Sequence, residues 1–149
     1  MVQERFVIGR HTVTLEDDDT IVVRIHGDVD VATAREFLAR VDEVNARIGR
    51  AFLIIDQTRP GTIRPEAQRL SIDWATRQQV SGAVLFGASL LQHTVYSLML
   101  STARLLRPDL FPVRFAKDEL EARAWVAAQR VRILTLIAPS PSAKSSSRG

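Results

Sequence analysis

The chain has 149 residues, 46% of them hydrophobic and 25% charged, with no cysteine, a net charge of +3 and a pI of about 10.1. This predicts one soluble domain with a real core, and it excludes disulfides, a thiol nucleophile and cysteine-based zinc sites. Nucleic acid is not an expected partner: Lys144 and Arg148 supply two of the charges, and no basic stripe carries interleaved aromatic residues.

Met1 to Phe6 lack the apolar core of a signal peptide, and with the absence of cysteine this makes a cytoplasmic location the expectation. Phe6 to Ile8 and Thr12 to Leu15 read as one opening strand bent at Gly9. Asp17-Asp18-Asp19 reads as a solvated polar turn, because the spacing of a calcium loop is absent. Thr20 to Ile25, rich in β-branched residues, completes an antiparallel hairpin. His11 and His26 come near each other across it as a partly exposed pair, and no two histidines have metal-ligand spacing.

Gly27-Asp-Val-Asp30 leads into a helix with Asp30 or Thr33 as N-cap; Val31, Ala34, Leu38, Val41, Val44 and Ile48 form its apolar stripe, and Gly49 ends it. The run Ala51 to Ile55 is apolar without a break and stops at Asp56 and the turn pair Pro60-Gly61. Such a run predicts a strand buried on both faces, and in an open α/β sheet ligands gather beyond the carboxyl ends of such strands. Asp56, Thr58, Arg59 and Thr62 lie there and are candidate ligand-binding or partner-binding residues.

A second helix begins near Pro65 and buries Ala67, Leu70 and Trp74. The strand Ala83 to Phe86 follows, and Ser89 is the expected N-cap of a third helix, which adds it to the candidate site. Leu91, Val95, Leu98, Thr102 and Leu105 form the expected buried stripe of that helix, and Pro108 stops it. Leu90, Tyr96, Met99, Leu100 and Leu106 make the same helix apolar around most of its circumference. The region Ala83 to Leu106 is nevertheless interrupted by Gln92, His93 and Arg104, which argues against a membrane span. Phe111 to Phe115 is the last strand. Asp118 caps a fourth helix with Leu120, Ala124, Ala127 and Val131 inward, and Trp74 and Trp125 are packing anchors. Ile133 to Ile137 extends that helix or forms a short strand, and the tail 139–149 is expected to be disordered beyond a single domain spanning 1–138.

This order resembles the STAS fold of anti-sigma-factor antagonists, and within it the SpoIIAA-like branch. The residues that carry the likeness are Val22-Val-Arg-Ile-His-Gly-Asp28, the apolar strand ending in Asp56, Arg64-Pro-Glu-Ala-Gln-Arg69, and the closing segment Phe111 to Trp125. The resemblance covers roughly Phe6 to Val131. It implies an α/β domain with a mixed sheet of about five strands opening in an antiparallel hairpin, and about four helices. It also implies a non-enzymatic regulatory or protein-binding role without a cofactor. The branch is similar in fold to CRAL-TRIO lipid-binding proteins, so a carrier of a small apolar ligand or lipid is the alternative. Phosphorylated antagonists of this type carry an Asp-Ser-Ser motif at the start of the second helix. Here the matching region is Gly61-Thr-Ile-Arg-Pro65, so Thr62 stands at the position of the phosphorylated serine, without a serine pair.

No catalytic set is complete. Gly87-Ala-Ser89 departs from a nucleophile elbow because Leu91 replaces its final glycine. The three histidines offer no metal site, and the residues predict neither metal nor cofactor. Surplus apolar surface on the third helix and at Ile133 to Ile137 predicts a homodimer, unless the latter run folds back over the former within one chain.

Overall fold

The computed structural model describes residues 4–59 and 61–137. Pro60 of the expected turn and the tail 139–149 lie outside the described residues. The elements in order are β1 (Glu4–Ile8), β2 (His11–Glu16), β3 (Thr20–Arg24), α1 (Val31–Ile48), β4 (Phe52–Asp56), α2 (Pro65–Arg77), β5 (Gly82–Phe86), α3 (Leu90–Leu106), β6 (Val113–Ala116) and α4 (Glu119–Ile137).

The sheet has six strands, one more than the sequence suggests. The residues read as one bent strand fold back on themselves: Gly9 takes φ 61, and Ile8 pairs with His11. A positive φ is cheap only for glycine, so this position permits the reversal. Asp17 and Asp18 make the next turn, also at positive φ, a conformation that Asp tolerates better than most residues.

Strand order follows chain order, β1 to β6. β1, β2 and β3 are antiparallel, and β3 to β6 are parallel. Three right-handed crossovers that step the same way across a sheet must place their helices on one face. α1, α2 and α3 accordingly pack side by side there, over Val23, Leu53, Ala83 and Val113. α4 lies on the other face, where Ala122 and Val126 pack on Val22, Phe52, Ile54, Val84 and Phe86.

The helix ends follow from local chemistry. Asp30 caps α1 by accepting from the Thr33 amide, and Gly49 closes it at φ 83. Pro65 opens α2, and Asp118 accepts from the Glu121 amide at the start of α4. Trp74 anchors the first core, edge-on to Phe111 and donating to Asp42, while Trp125 packs against the second.

Two helical faces differ from expectation. On α3 it is Tyr96, Met99, Leu100 and Ala103 that turn inward. Leu98 and Leu105 of the expected stripe stand in water at 64% and 85% exposure. On α4 the inward residues are Ala122 and Val126, while Leu120 and Val131 are exposed. Ile133 to Ile137 continues α4 as helix. Because α4 packs on the opposite face of the sheet, this run does not fold over α3, and Leu134 and Leu136 remain exposed.

Candidate functional site

The loops after β3, β4 and β5 meet at the carboxyl ends of the parallel strands. The first two are zipped together. Val29 and Ile63 form a parallel bridge, the Val29 amide donates to the Thr62 carbonyl at 2.9 Å, and the Arg64 amide donates to the Val29 carbonyl at 2.9 Å. Asp28 Oδ1 accepts from both the amide and the hydroxyl of Thr62, at 2.9 and 3.2 Å. These bonds hold the Asp28 carboxyl below the usual carboxylate range. Close approach fixes two glycines: a Cβ at Gly61 would collide with the Gly27 carbonyl, and one at Gly87 with Thr58.

Between these loops and the first turns of α3 lies a cleft of about 600 Å3. Thr58, Arg59, Thr62 and Ser89 line it, with Gln57, Gln92 and Tyr96 deeper in. Ser89 is the N-cap of α3 in a reciprocal capping box: its hydroxyl accepts from the Gln92 amide, and the Ser89 amide donates to Gln92 Oε1 at 2.8 Å. Gln92 Nε2 then donates to the Gly61 carbonyl at 2.9 Å and to Gln57 Oε1 at 3.1 Å. Gln57 Nε2 donates to the Tyr96 hydroxyl at 2.6 Å. One side-chain chain therefore joins the loop after β4 to α3. Burial pushes the Tyr96 hydroxyl up to about 12, so it stays protonated at any ordinary pH.

Beneath the cleft, between the sheet and the three helices, lies an apolar cavity of about 160 Å3. Ile25, Val29, Ile63 and Tyr96 line both spaces.

Asp56 does not face this cleft. Alternation along β4 sends Leu53 and Ile55 toward the three helices, and Ile54 and Asp56 toward α4. There Arg24, its register partner on β3, donates to Asp56 Oδ2 at 2.8 Å and to both oxygens of Glu119 on α4. Asp56 Oδ1 accepts from the Thr58 amide and hydroxyl, which is the loop-capping role expected of a turn aspartate. Burial raises the Asp56 carboxyl, but Thr58 and Arg24 outweigh it and hold it low. Arg24 and Arg123 hold the Glu119 carboxyl at about 2, and Arg123 runs on to Glu16 of β2.

A second ionic cluster corrects the reading of the acidic turn. Asp19 is fully buried and accepts from Arg50, from both Nε and Nη2 of Arg130, and from the Thr20 hydroxyl. His11 is also buried, not partly exposed; its Nδ1 accepts from the His26 amide, and burial lowers its pKa. Among the described residues, no group of three His, Asp or Glu side chains is arranged to hold a metal ion. None of the helices described is long and apolar enough to cross a membrane.

Of the residues singled out from the sequence, Thr58, Arg59, Thr62 and Ser89 surround the cleft, and Asp56 faces away. Gln57, Gln92 and Tyr96 were not anticipated. Strand parity could have found Gln57: if Asp56 faces one side of the sheet, its neighbour faces the other.

No family model and no curated protein matches the chain. Solved structures do. The anti-sigma factor antagonist SpoIIAA in its unphosphorylated form aligns with a TM-score of 0.54 at 15% identity, over 78% of this chain and 97% of SpoIIAA. The fold is SpoIIAA-like. An uncharacterised protein of the DUF3478 family from Shewanella loihica PV-4, with a SpoIIAA-like fold, aligns with a TM-score of 0.53 at 16% identity, over 77% and 90% of the two chains. At these identities the likeness is one of fold. The SpoIIAA-like sheet brings the strand-end loops and the start of α3 together, and this chain's own residues decide what the cleft binds.

Proposed function

We propose that the chain is a non-enzymatic regulatory module that binds a protein partner at the strand-end cleft. The cleft rim carries this reading. Thr58, Arg59, Thr62 and Ser89 are exposed there, and Leu90 and Leu91 are exposed beside them at 85% and 66%. Apolar side chains within a polar, hydrogen-bonding rim are the composition of a protein interface. The groups that line the cleft also favour binding over catalysis. Ser89 is engaged as a helix cap, and the nearby His93 ring lies 4.2 Å from Phe115 instead of serving it. The SpoIIAA-like fold adds support, because the aligned SpoIIAA is an anti-sigma factor antagonist.

Site-specific photocrosslinking tests the proposal. A crosslinker at Arg59 should trap a defined stoichiometric partner, one at Asp73 on the outside of α2 should not, and Leu91→Asp should weaken the complex about tenfold or more. Equal trapping from both positions would remove the cleft from the interface.

Thr62 is the proposed switch. A phosphate there would set about two negative charges against Asp28, which now accepts the Thr62 hydroxyl. The zipped loops would part, and the rim would change shape. Thr62→Glu should therefore weaken the partner while Thr62→Val leaves it bound. Phosphopeptide mapping that finds modification only in the Ser145 to Ser147 segment would end this part of the reading.

A second reading, carriage of a small apolar ligand, is favoured by the cavity beneath the cleft.

A further inference from the structure

The hydrogen-bond chain along the cleft has a direction, and that direction leaves one proton over. It is anchored by backbone groups whose roles cannot reverse. The Ser89 amide can only donate, so it meets the oxygen of Gln92; the Gly61 carbonyl can only accept, so it meets the nitrogen. Gln92 Nε2 therefore faces Gln57 Oε1, and Gln57 Nε2 is left to face Tyr96. The Tyr96 oxygen is an acceptor in this chain. Its own proton has no acceptor among the described residues.

Tyr96 stands where the two spaces meet. Tyr96 lines both the cleft and the apolar cavity, together with Ile25, Val29 and Ile63. We propose that cleft and cavity together bind a small neutral amphiphile, whose apolar ring or short chain fills the cavity and whose carbonyl or ether oxygen accepts the Tyr96 hydroxyl proton. The inference rests on the ligand reading above and is independent of the partner reading.

Size and charge set the class. The cavity, about 160 Å3, is close to the roughly 150 Å3 that holds one benzene ring in an engineered protein core. The ligand is neutral because Arg59, the one cation among the residues that line the cleft, stands exposed at its outer rim. A carboxylate drawn down to Tyr96 would be desolvated with no charged partner.

Acetophenone and ethylbenzene, alike in shape but differing in the acceptor oxygen, are the probes. The full-length 15N-labelled chain is titrated with each, and the amides of Val29, Ile63 and Tyr96 are followed. Both should bind and shift these amides. Tyr96→Phe should weaken acetophenone about three- to tenfold, the worth of one hydrogen bond, and leave ethylbenzene within about twofold. Because Tyr96 is the single tyrosine of the chain, 13Cζ-tyrosine labelling gives one resonance in the unmodified protein. Acetophenone should move it more than ethylbenzene does, which holds whether or not the variant folds. If both probes bind but neither the variant nor the tyrosine signal separates them, the Tyr96 contact is wrong and the apolar-ligand reading survives. If neither probe binds up to its solubility, or the shifts map elsewhere, both are wrong.

Discussion

At the scale of single residues, Asp19 is a buried carboxylate that the fold must neutralise. Its side chain is only 1% exposed and is met by two arginines. Arg50 and Arg130 reach partly into water, so removing the carboxylate strands them only in part. Asp19→Ala should cost on the order of 3 kcal/mol, the low end for breaking a buried pair, measured by denaturant unfolding. The pH dependence has a definite sign. Burial raises the Asp19 carboxyl, but Arg130 and Arg50 hold it below its ordinary value; Asp56 and Glu119 are lowered too. Between folded and unfolded pKa values the unfolded chain binds more protons, so their stabilisation is complete above the ordinary carboxylate range. It is lost as pH falls through the folded values, toward about 2 for Glu119. His11, lowered by burial, acts in the same direction from 6.5 downward. Thermal unfolding should therefore show a shallow decline below about pH 6.5 and a steep one below about pH 4. His11→Gln should remove the first and keep the second.

Among the elements, α3 shows what periodicity can and cannot tell. Leu91, Val95, Leu98, Thr102 and Leu105 have helical spacing, and so do Tyr96, Met99, Leu100 and Ala103. The sequence reveals the period, but a helix apolar on both sides does not reveal its phase. The sheet sets the phase by taking the face that carries Ala103, the one fully buried residue of α3. Met99→Ala should cost about 2–3 kcal/mol and Leu98→Gln less than about 0.5 kcal/mol, which urea unfolding of the monomer, at concentrations too low for association, would separate. The opposite ranking would show that the other face is buried. The inward face of α4 is hidden in the sequence for a related reason. Its position is also held by Glu119, Arg123 and Arg130, which reach the strands from the same face as Ala122 and Val126, and charged residues at helical spacing leave no mark in an apolar pattern. β4 and the caps Asp30, Ser89 and Asp118 were legible because each depends on its own neighbours.

For the whole molecule, the strand-end location of the cleft was readable, because it follows from parallel strand order alone. The chain Gln92–Gln57–Tyr96 was not, since it joins residues 35 and 39 positions apart through amide groups that carry no motif. The outward leucines of α3 bear on assembly. Leu98 and Leu105, clear of the cleft rim, stand seven residues apart on an exposed face. An antiparallel pairing of two such faces about a twofold axis would cover them. We expect a homodimer at micromolar concentration through α3, seen by sedimentation, with Leu98→Asp giving a folded monomer of 16.6 kDa. A monomer without the substitution would leave that face to the partner protein. Leu134→Asp, on the far side of the sheet, should not change the association.

The sequential strand order also governs how the molecule assembles in time. Each strand pairs with the one before it, so the sheet can be laid down in the order of synthesis, and no pairing closes more than one hairpin or one helical crossover. α4 is the exception. Its bonds from Arg123 to Glu16 and from Arg130 to Asp19 span 107 and 111 residues. Contacts that close so long a loop should form after the rate-limiting barrier. Arg130→Ala should therefore speed unfolding in stopped-flow measurements while leaving the refolding rate nearly unchanged. The last helix would then act as a latch, setting how long the native state survives and not how quickly it is reached.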